Sequence, residues 1–363
     1  MSSRLIGLKE LESIALGAAV LGTGGGGDPY IGKLWAQQRI AACGPVELIG
    51  ADDLADDALV IAAAMMGAPT IIVEKIPGGT ELVAAFRAVE DACGARAAAV
   101  MCIEAGGINS TVPFALAADL GLPVVDGDGM GRAFPEVQMV SFAAHGLRAT
   151  PMAIADEHGN VTVLRSVSAE WAERLGRALV VAEGGSSVVA QYPMRGADFK
   201  RAAIRGTLSL ALDIGSELRG AGRQSRRVIE SLTRRLMGAV IFHGKVVALE
   251  QETAGGFVRG DVTVEGLDSF SGRRCQVTFQ NENLVAVADG SMLASVPDLI
   301  TILEEDTAHP VTTERLRFGM RVFVLALRCA PLWRDELGLA RAGPRCFGLG
   351  FDYVPFEERL AAL

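Results

Sequence analysis

The sequence predicts an α/β domain followed by a β-rich one, and three observations lead there. Short apolar runs alternate with helical stretches up to about residue 150, and closely spaced β-type runs take over from Gly238. Glycine-rich or acidic loops also stand where the first-half strands end. Buried strands alternating with helices imply a three-layer α/β/α unit on a mostly parallel sheet. The later runs imply a β-barrel-like unit with flanking helices. This shift divides the chain into 1–165 and 166–363, with the boundary inside 165–195.

Residues 8–21 place Leu11, Ile14, Ala15, Ala18 and Leu21 at helical spacing. The pattern stops at Gly22-Thr23-Gly24-Gly25-Gly26-Gly27-Asp28-Pro29. Pro29 suits the first position of a next helix, with Asp28 as its N-cap, running to about Ala42. Extended runs are expected at 46–49, 58–64, 70–73, 97–103 and 123–125, with helices over 79–93 and 109–120. Residues 152–156 and 160–165 read as a hairpin across His158-Gly159. Helical stretches follow at 169–182, 198–218 and 225–237. The β-rich part then reads as runs at 240–242, 245–253, 256–265, 274–280, 284–288 and 321–326.

Composition narrows the function. Acidic residues (43) exceed Lys plus Arg (34) in 363 residues, for a net charge of −9. A general nucleic-acid binder needs the opposite balance. Half of the residues are apolar, enough for a large core. Glycine supplies 43 residues, about 12% against a usual share of roughly 7%. The start MSSRLIGLKELES lacks a basic segment followed by an apolar run, and no uncharged apolar stretch reaches membrane-span length. The six cysteines include no CxxC pair. The chain is therefore expected to be cytoplasmic, with reduced thiols, and a homo-oligomer with a small-molecule substrate and no nucleic-acid or membrane partner.

Three loops are candidates for chemistry. Gly24, Gly25, Gly26 and Gly27 bare their backbone N–H groups, and Asp28 opens the next helix, so an anion or polarised carbonyl would be favoured there. A P-loop is ruled out because no Gly-Lys-Ser/Thr follows, and a Rossmann turn because a helix precedes. The alternative is a tight helix–helix connection. Next, Glu104 leaves a buried strand, where ligands of open α/β sheets sit, and Gly106 and Gly107 again expose donors. Asn109 would bind substrate, or it or Ser110 would cap the next helix. In the third loop, Asp126 and Asp128 with glycines between them suit a divalent metal or an acid–base pair. Arg132 would grip a substrate carboxylate or simply pair with Asp128. In the β-rich half, Gln280-Asn281-Glu282-Asn283 interrupts a strand pattern, as a hairpin tip or as a reach over the first domain with Asn281 on substrate. Gly255-Gly256-Phe257 is a weaker case of the same kind, and Gly184-Gly185-Ser186-Ser187 resembles an anion-binding turn. The four histidines stand alone.

LGTGGGGDPY (21–30), GLPVVDGDGMGRAFPE (121–136), QNENLVA (280–286) and PDLI (297–300) together resemble the S-methyl thiohydantoin desulfurase-like family. The resemblance runs from about residue 8 to about 356. It implies an N-terminal α/β domain, a C-terminal β-barrel-like domain, and a link to hydantoin and oxoproline breakdown. The activity so implied replaces sulfur with oxygen on a five-membered thiohydantoin ring.

Three readings follow. In the first, the protein is a hydrolase-type enzyme on a hydantoin- or thiohydantoin-like ring. Asp126 or Asp128 then serves as base or metal ligand, Glu104 as its partner, and the Gly24–Gly27 amides receive developing charge. In the second, it is a nucleotide- or phosphate-binding partner of an oxoprolinase-type enzyme. In the third, it is a non-catalytic small-molecule binding protein.

Overall fold

The computed structural model describes residues 3–68, 71, 75, 78–254 and 257–362. The expected run at 70–73 and Gly255-Gly256 fall largely or wholly outside the described residues.

The first half is an eight-stranded mixed sheet with helices packed on it. Its strands are β1 (Arg4–Ile6), β2 (Val46–Ile49), β3 (Leu59–Gly67), β4 (Ala99–Cys102), β5 (Val124–Val125), β7 (Met152–Ala155), β8 (Val161–Leu164) and β9 (Ser186–Arg195). Their order is β1-β2-β5-β4-β3-β9-β7-β8. Parallel pairing is confined to the centre, β2-β5-β4-β3. The strands outside it, β1, β9, β7 and β8, pair antiparallel, and β7 and β8 form a hairpin joined by a short turn. The apolar run of β3 is buried throughout its middle, as a central strand must be.

The helices are α1 (Leu8–Leu21), α2 (Pro29–Cys43), α3 (Glu81–Cys93), α4 (Val112–Leu120), a short α5 (Ser141–Ala144), α6 (Ala169–Ala182), α7 (Gly196–Ala202), α8 (Thr207–Arg219) and α9 (Ser225–Arg235). Asp28 caps α2 by accepting from Tyr30 N at 2.9 Å. The stretch expected as one helix over 198–218 is broken. After α7 the chain forms β10 (Ile204–Arg205), which pairs with β6 (Gly127–Asp128), and Gly206 turns into α8 at φ 76°. Strand β9 was not anticipated either. Ser186 and Ser187 begin it, so the Gly184-Gly185 turn serves to enter a strand.

Helix α1 lies main chain to main chain against α8. A methyl on Gly17 would sit 1.8 Å from Ala211 O, and one on Gly215 1.8 Å from Ser13 O.

The second half is an antiparallel sheet of seven strands, β11 (Ala239–Ala254), β12 (Phe257–Gly266), β13 (Arg274–Gln280), β14 (Glu282–Ala288), β15 (Ser291–Ser295), β16 (Leu299–Glu304) and β17 (Arg321–Leu327). The order β15-β14-β13-β12-β11-β17-β16 curls until β14 nears β16, giving a half-barrel around Phe242, Val262, Val277 and Val324. The runs expected at 240–242 and 245–253 are one long strand, bulged between Val240 and Phe242. Two further helices, α10 (Glu336–Ala342) and α11 (Phe356–Ala361), close the chain.

Gly215→Ala is expected to destabilise the fold by about 1–3 kcal/mol, since neither helix can retreat without opening the core. Denaturant titration reads this as a lower midpoint, and wild-type stability would contradict the contact.

Candidate functional site

Three loops of the first domain and two segments of the second meet at the end of α1. Ile108 N donates to Gly26 O (2.9 Å), Ala133 N to Leu21 O (3.2 Å) and Gly129 N to Ile103 O (3.0 Å). From the half-barrel, Asn283 N donates to Thr23 O (2.7 Å) and Thr313 N to Gly24 O (2.8 Å). Contacts this close require glycine. A Cβ on Gly25 would lie 2.3 Å from Glu282 Oε1, and one on Gly107 (φ +67°) 2.2 Å from Gly26 O. The glycine run is thus largely a backbone junction between loops and domains, and Gly26 and Gly27 keep a face on the cleft beside it.

That cleft encloses about 80 Å³. One water needs roughly 10–15 Å³ by this measure, so about five to eight water-sized groups fit, the bulk of a small ring. Its walls include Met65, Met66, Met130 and Phe134, with Glu104, Asn109, Glu136, Gln191, Asn281 and Glu282 as polar groups.

Two carboxyls dominate it, one from each domain. Glu104 is 6% exposed; its Oε1 accepts from Asn109 Nδ2 (2.9 Å), and its Oε2 is buried without a hydrogen-bond partner among the described residues. Burial, reinforced by the nearby charge of Glu282, holds its pKa well above the usual carboxylate range. Glu282 is 2% exposed; its Oε1 accepts from Gly26 N (3.1 Å), and its Oε2 likewise lacks a partner among the described residues. Burial pushes its pKa up to about 7, against a smaller opposing pull from Arg132. At the rim, Glu136 is also raised by burial, and Arg177 bonds to Glu173 at 2.7 Å. Carboxylates therefore outnumber cations around the cleft, a setting hostile to phosphate and hence to a nucleotide.

Several predicted residues lie elsewhere or have other work. Asp126 caps α8, accepting from Leu208 N (3.0 Å), Ser209 N (3.2 Å) and Ser209 Oγ (2.5 Å). Asp128 is fully buried; it accepts from Ala105 N (2.5 Å) and Gly131 N (2.9 Å) and ties the second and third loops together. Burial lifts its pKa to about 7. Neither lines the cleft. Both being engaged by protein donors, they do not fit a divalent metal, and among the described residues no group of three or more His, Cys, Asp or Glu could hold one.

Arg132 pairs neither with Asp128 nor with the cleft. It is 0% exposed and donates to Ala133 O (3.0 Å), Pro297 O (2.6 Å), Asp298 O (3.0 Å) and Thr23 Oγ1 (2.9 Å), riveting the domains together. Gly24, Gly25, Gly106 and Gly107 lie in the junction, and Asp28 faces a separate cavity beside Tyr30, bonded to Arg315 at 2.6 Å. Asn281 lines the cleft, but its Oδ1 accepts from Val258 N (2.8 Å). Asn109 grips both main-chain groups of Met65 (2.7 and 3.2 Å) besides Glu104, so it fixes that carboxyl and caps no helix.

Glu282 and Gln191 were missed. Glu282 stood within the flagged 280–283 segment, and its charge in a strand pattern was the available signal. Nothing in the sequence around Gln191 marks it.

The carboxyl shifts predict a pH effect. Glu282 keeps a proton that the unfolded chain releases near 4.5, so its stabilising contribution is complete below that value and is lost as pH rises through about 7. Asp128 acts in the same direction. Stability is expected to fall between about pH 5 and pH 8, and Glu282→Gln to recover on the order of 2 kcal/mol at the upper end. Denaturant titrations at both pH values check this; an unchanged slope in the variant would contradict it.

A crystal structure of a protein from Chromobacterium violaceum matches with a TM-score of 0.81 at 28% identity, covering 97% of this chain and 99% of that one. No functionally curated protein matches the chain. The model of the S-Me-THD-like N-terminal domain matches residues 9–166, and that of the S-Me-THD-like C-terminal domain matches residues 167–356. With both models matched in order over nearly its whole length, the chain belongs to the S-Me-THD-like family.

Proposed function

We propose that the protein is an enzyme that hydrolyses a C–S or C–N bond of a small five-membered ring of the hydantoin or thiohydantoin type. The observation that carries this is the pair Glu104 and Glu282. Two carboxyls from different domains share one small cleft, each nearly out of solvent and each with an oxygen lacking a protein partner among the described residues. Such an oxygen is costly unless a ligand or water uses it. Raised carboxyl pKa values in a cleft favour proton transfer near neutral pH. Family membership supports the ring chemistry.

In this reading Glu104 is the protonated partner and Glu282 the base. Water loses a proton to Glu282 and forms a C–O bond at the ring carbon between the nitrogens. Glu104 gives its proton to the departing sulfur or nitrogen as the C–S or C–N bond breaks. Proton exchange between the two carboxyls then restores the starting state. Asn109 orients Glu104, Gly26 N–H orients Glu282, and the apolar walls limit water. Asp126 and Asp128 hold the loops in place.

Glu104→Gln and Glu282→Gln are each expected to lower kcat by about 10²–10⁴-fold on a thiohydantoin. Asp126→Asn, whose amide still caps α8, should stay within about threefold of wild type. Assays of thiol or sulfide release and of ring opening check this. Full turnover in both glutamate variants would contradict it.

A further inference from the structure

Gln191 has no task inside the protein. It stands on β9 opposite Ala62 of β3, is 4% exposed, and lines the cleft. Its Oε1 is buried without a partner among the described residues. A buried side-chain amide oxygen left unpaired is destabilising and rare in a folded protein unless a ligand or water completes it.

The backbone goes out of its way to put this amide there. Between the β3 partners Val60 and Ala62, β9 carries an extra residue, a β-bulge that includes Tyr192 at φ 50°. Bulges of this kind re-aim side chains beside functional sites, and a bulky residue at positive φ is uncommon. Tertiary contacts hold it. Tyr192 N donates to Ala149 O (2.9 Å), and its hydroxyl donates to Val137 O (3.0 Å).

A primary carboxamide presents one donor and one acceptor side by side, and does so whichever way its oxygen and nitrogen are assigned. Its mate is a group with an acceptor and a donor on one edge. An open-chain secondary amide is trans and points these groups apart. An amide closed into a five-membered ring is cis and presents both together. The remaining unpaired acceptors at the cleft, on Glu104 and Glu282, are assigned to proton transfer in the reading above. Among the neutral amides of the cleft, Gln191 is the one whose buried oxygen has no partner among the described residues.

We propose that Gln191 is the specificity-determining residue of the cleft, pairing through two hydrogen bonds with the cis-amide edge of a ring ligand and so selecting rings over open-chain amides. The inference rests on the ring-directed reading of the cleft under Proposed function.

Calorimetry with hydantoin and 1,3-dimethylhydantoin, which lacks both N–H groups, tests it on wild type and Gln191→Met. Wild type is expected to bind hydantoin at least about tenfold tighter than the dimethyl ring. Gln191→Met should bind hydantoin about tenfold more weakly than wild type, and the two rings should then differ by less than about threefold. Its Tm should equal or exceed that of wild type, because an orphaned buried amide has been removed. Wild-type affinity and discrimination in Gln191→Met, or a lowered Tm, overturns the role of Gln191 and leaves the Glu104–Glu282 chemistry standing. A wild type that binds neither ring overturns both.

Discussion

Asn283 and Thr313 donate their backbone N–H groups to the carbonyls of Thr23 and Gly24, hanging the half-barrel from the main chain of the glycine loop. Side chains at these glycines would push the domains apart, since the nearest atoms are already at contact distance. Arg132 reinforces the junction from within. Burial lowers its pKa to about 10, yet it bonds carbonyls of Pro297 and Asp298 and so has its charge solvated by the opposite domain. Removing one side of such a buried arrangement is far more damaging than never having built it. The junction also decides the chemistry, because Glu282 reaches the cleft only while residues 23–26 hold its turn in place.

Electrostatics inside the cleft follow from that placement. Two carboxyls withdrawn from water cannot both ionise cheaply: burial raises the pKa of each, and the charge of Glu282 raises that of Glu104 further. Four of Arg132's N–H groups point to other partners, so it moderates the pair at a distance without neutralising either member. The result is a site rich in proton-transfer capacity and poor in cations, in keeping with a neutral ring ligand and against a phosphate.

Local signals were legible in the sequence and long-range ones were not. The helical spacing of Leu8–Leu21, the capped start at Asp28-Pro29 and the apolar run inside Leu59–Gly67 all fold as their periodicity requires. The convergence of the Glu104 loop and the third loop was also readable, since strand ends of a parallel core open on one edge. The break at Gly206 was hidden because its cause, Asp126 capping α8, lies far back in the chain. Asp126, Asp128 and Arg132 carry the residue types of a reactive site, but tertiary donors and acceptors claim them. Glu282 is the reverse, an acid in a β-hairpin whose role appears only when a second domain folds over the first.

In the proposed function, one small cleft walled by both domains binds a five-membered cyclic amide between Glu104 and Glu282. A crystal structure of the protein with hydantoin bound measures this most directly. The ring is expected beside Gly26 and Gly27, with a carboxyl oxygen of each glutamate within hydrogen-bond distance. Hydantoin bound only in the separate cavity by Asp28 and Tyr30, or a ring lying clear of both glutamates, would contradict it.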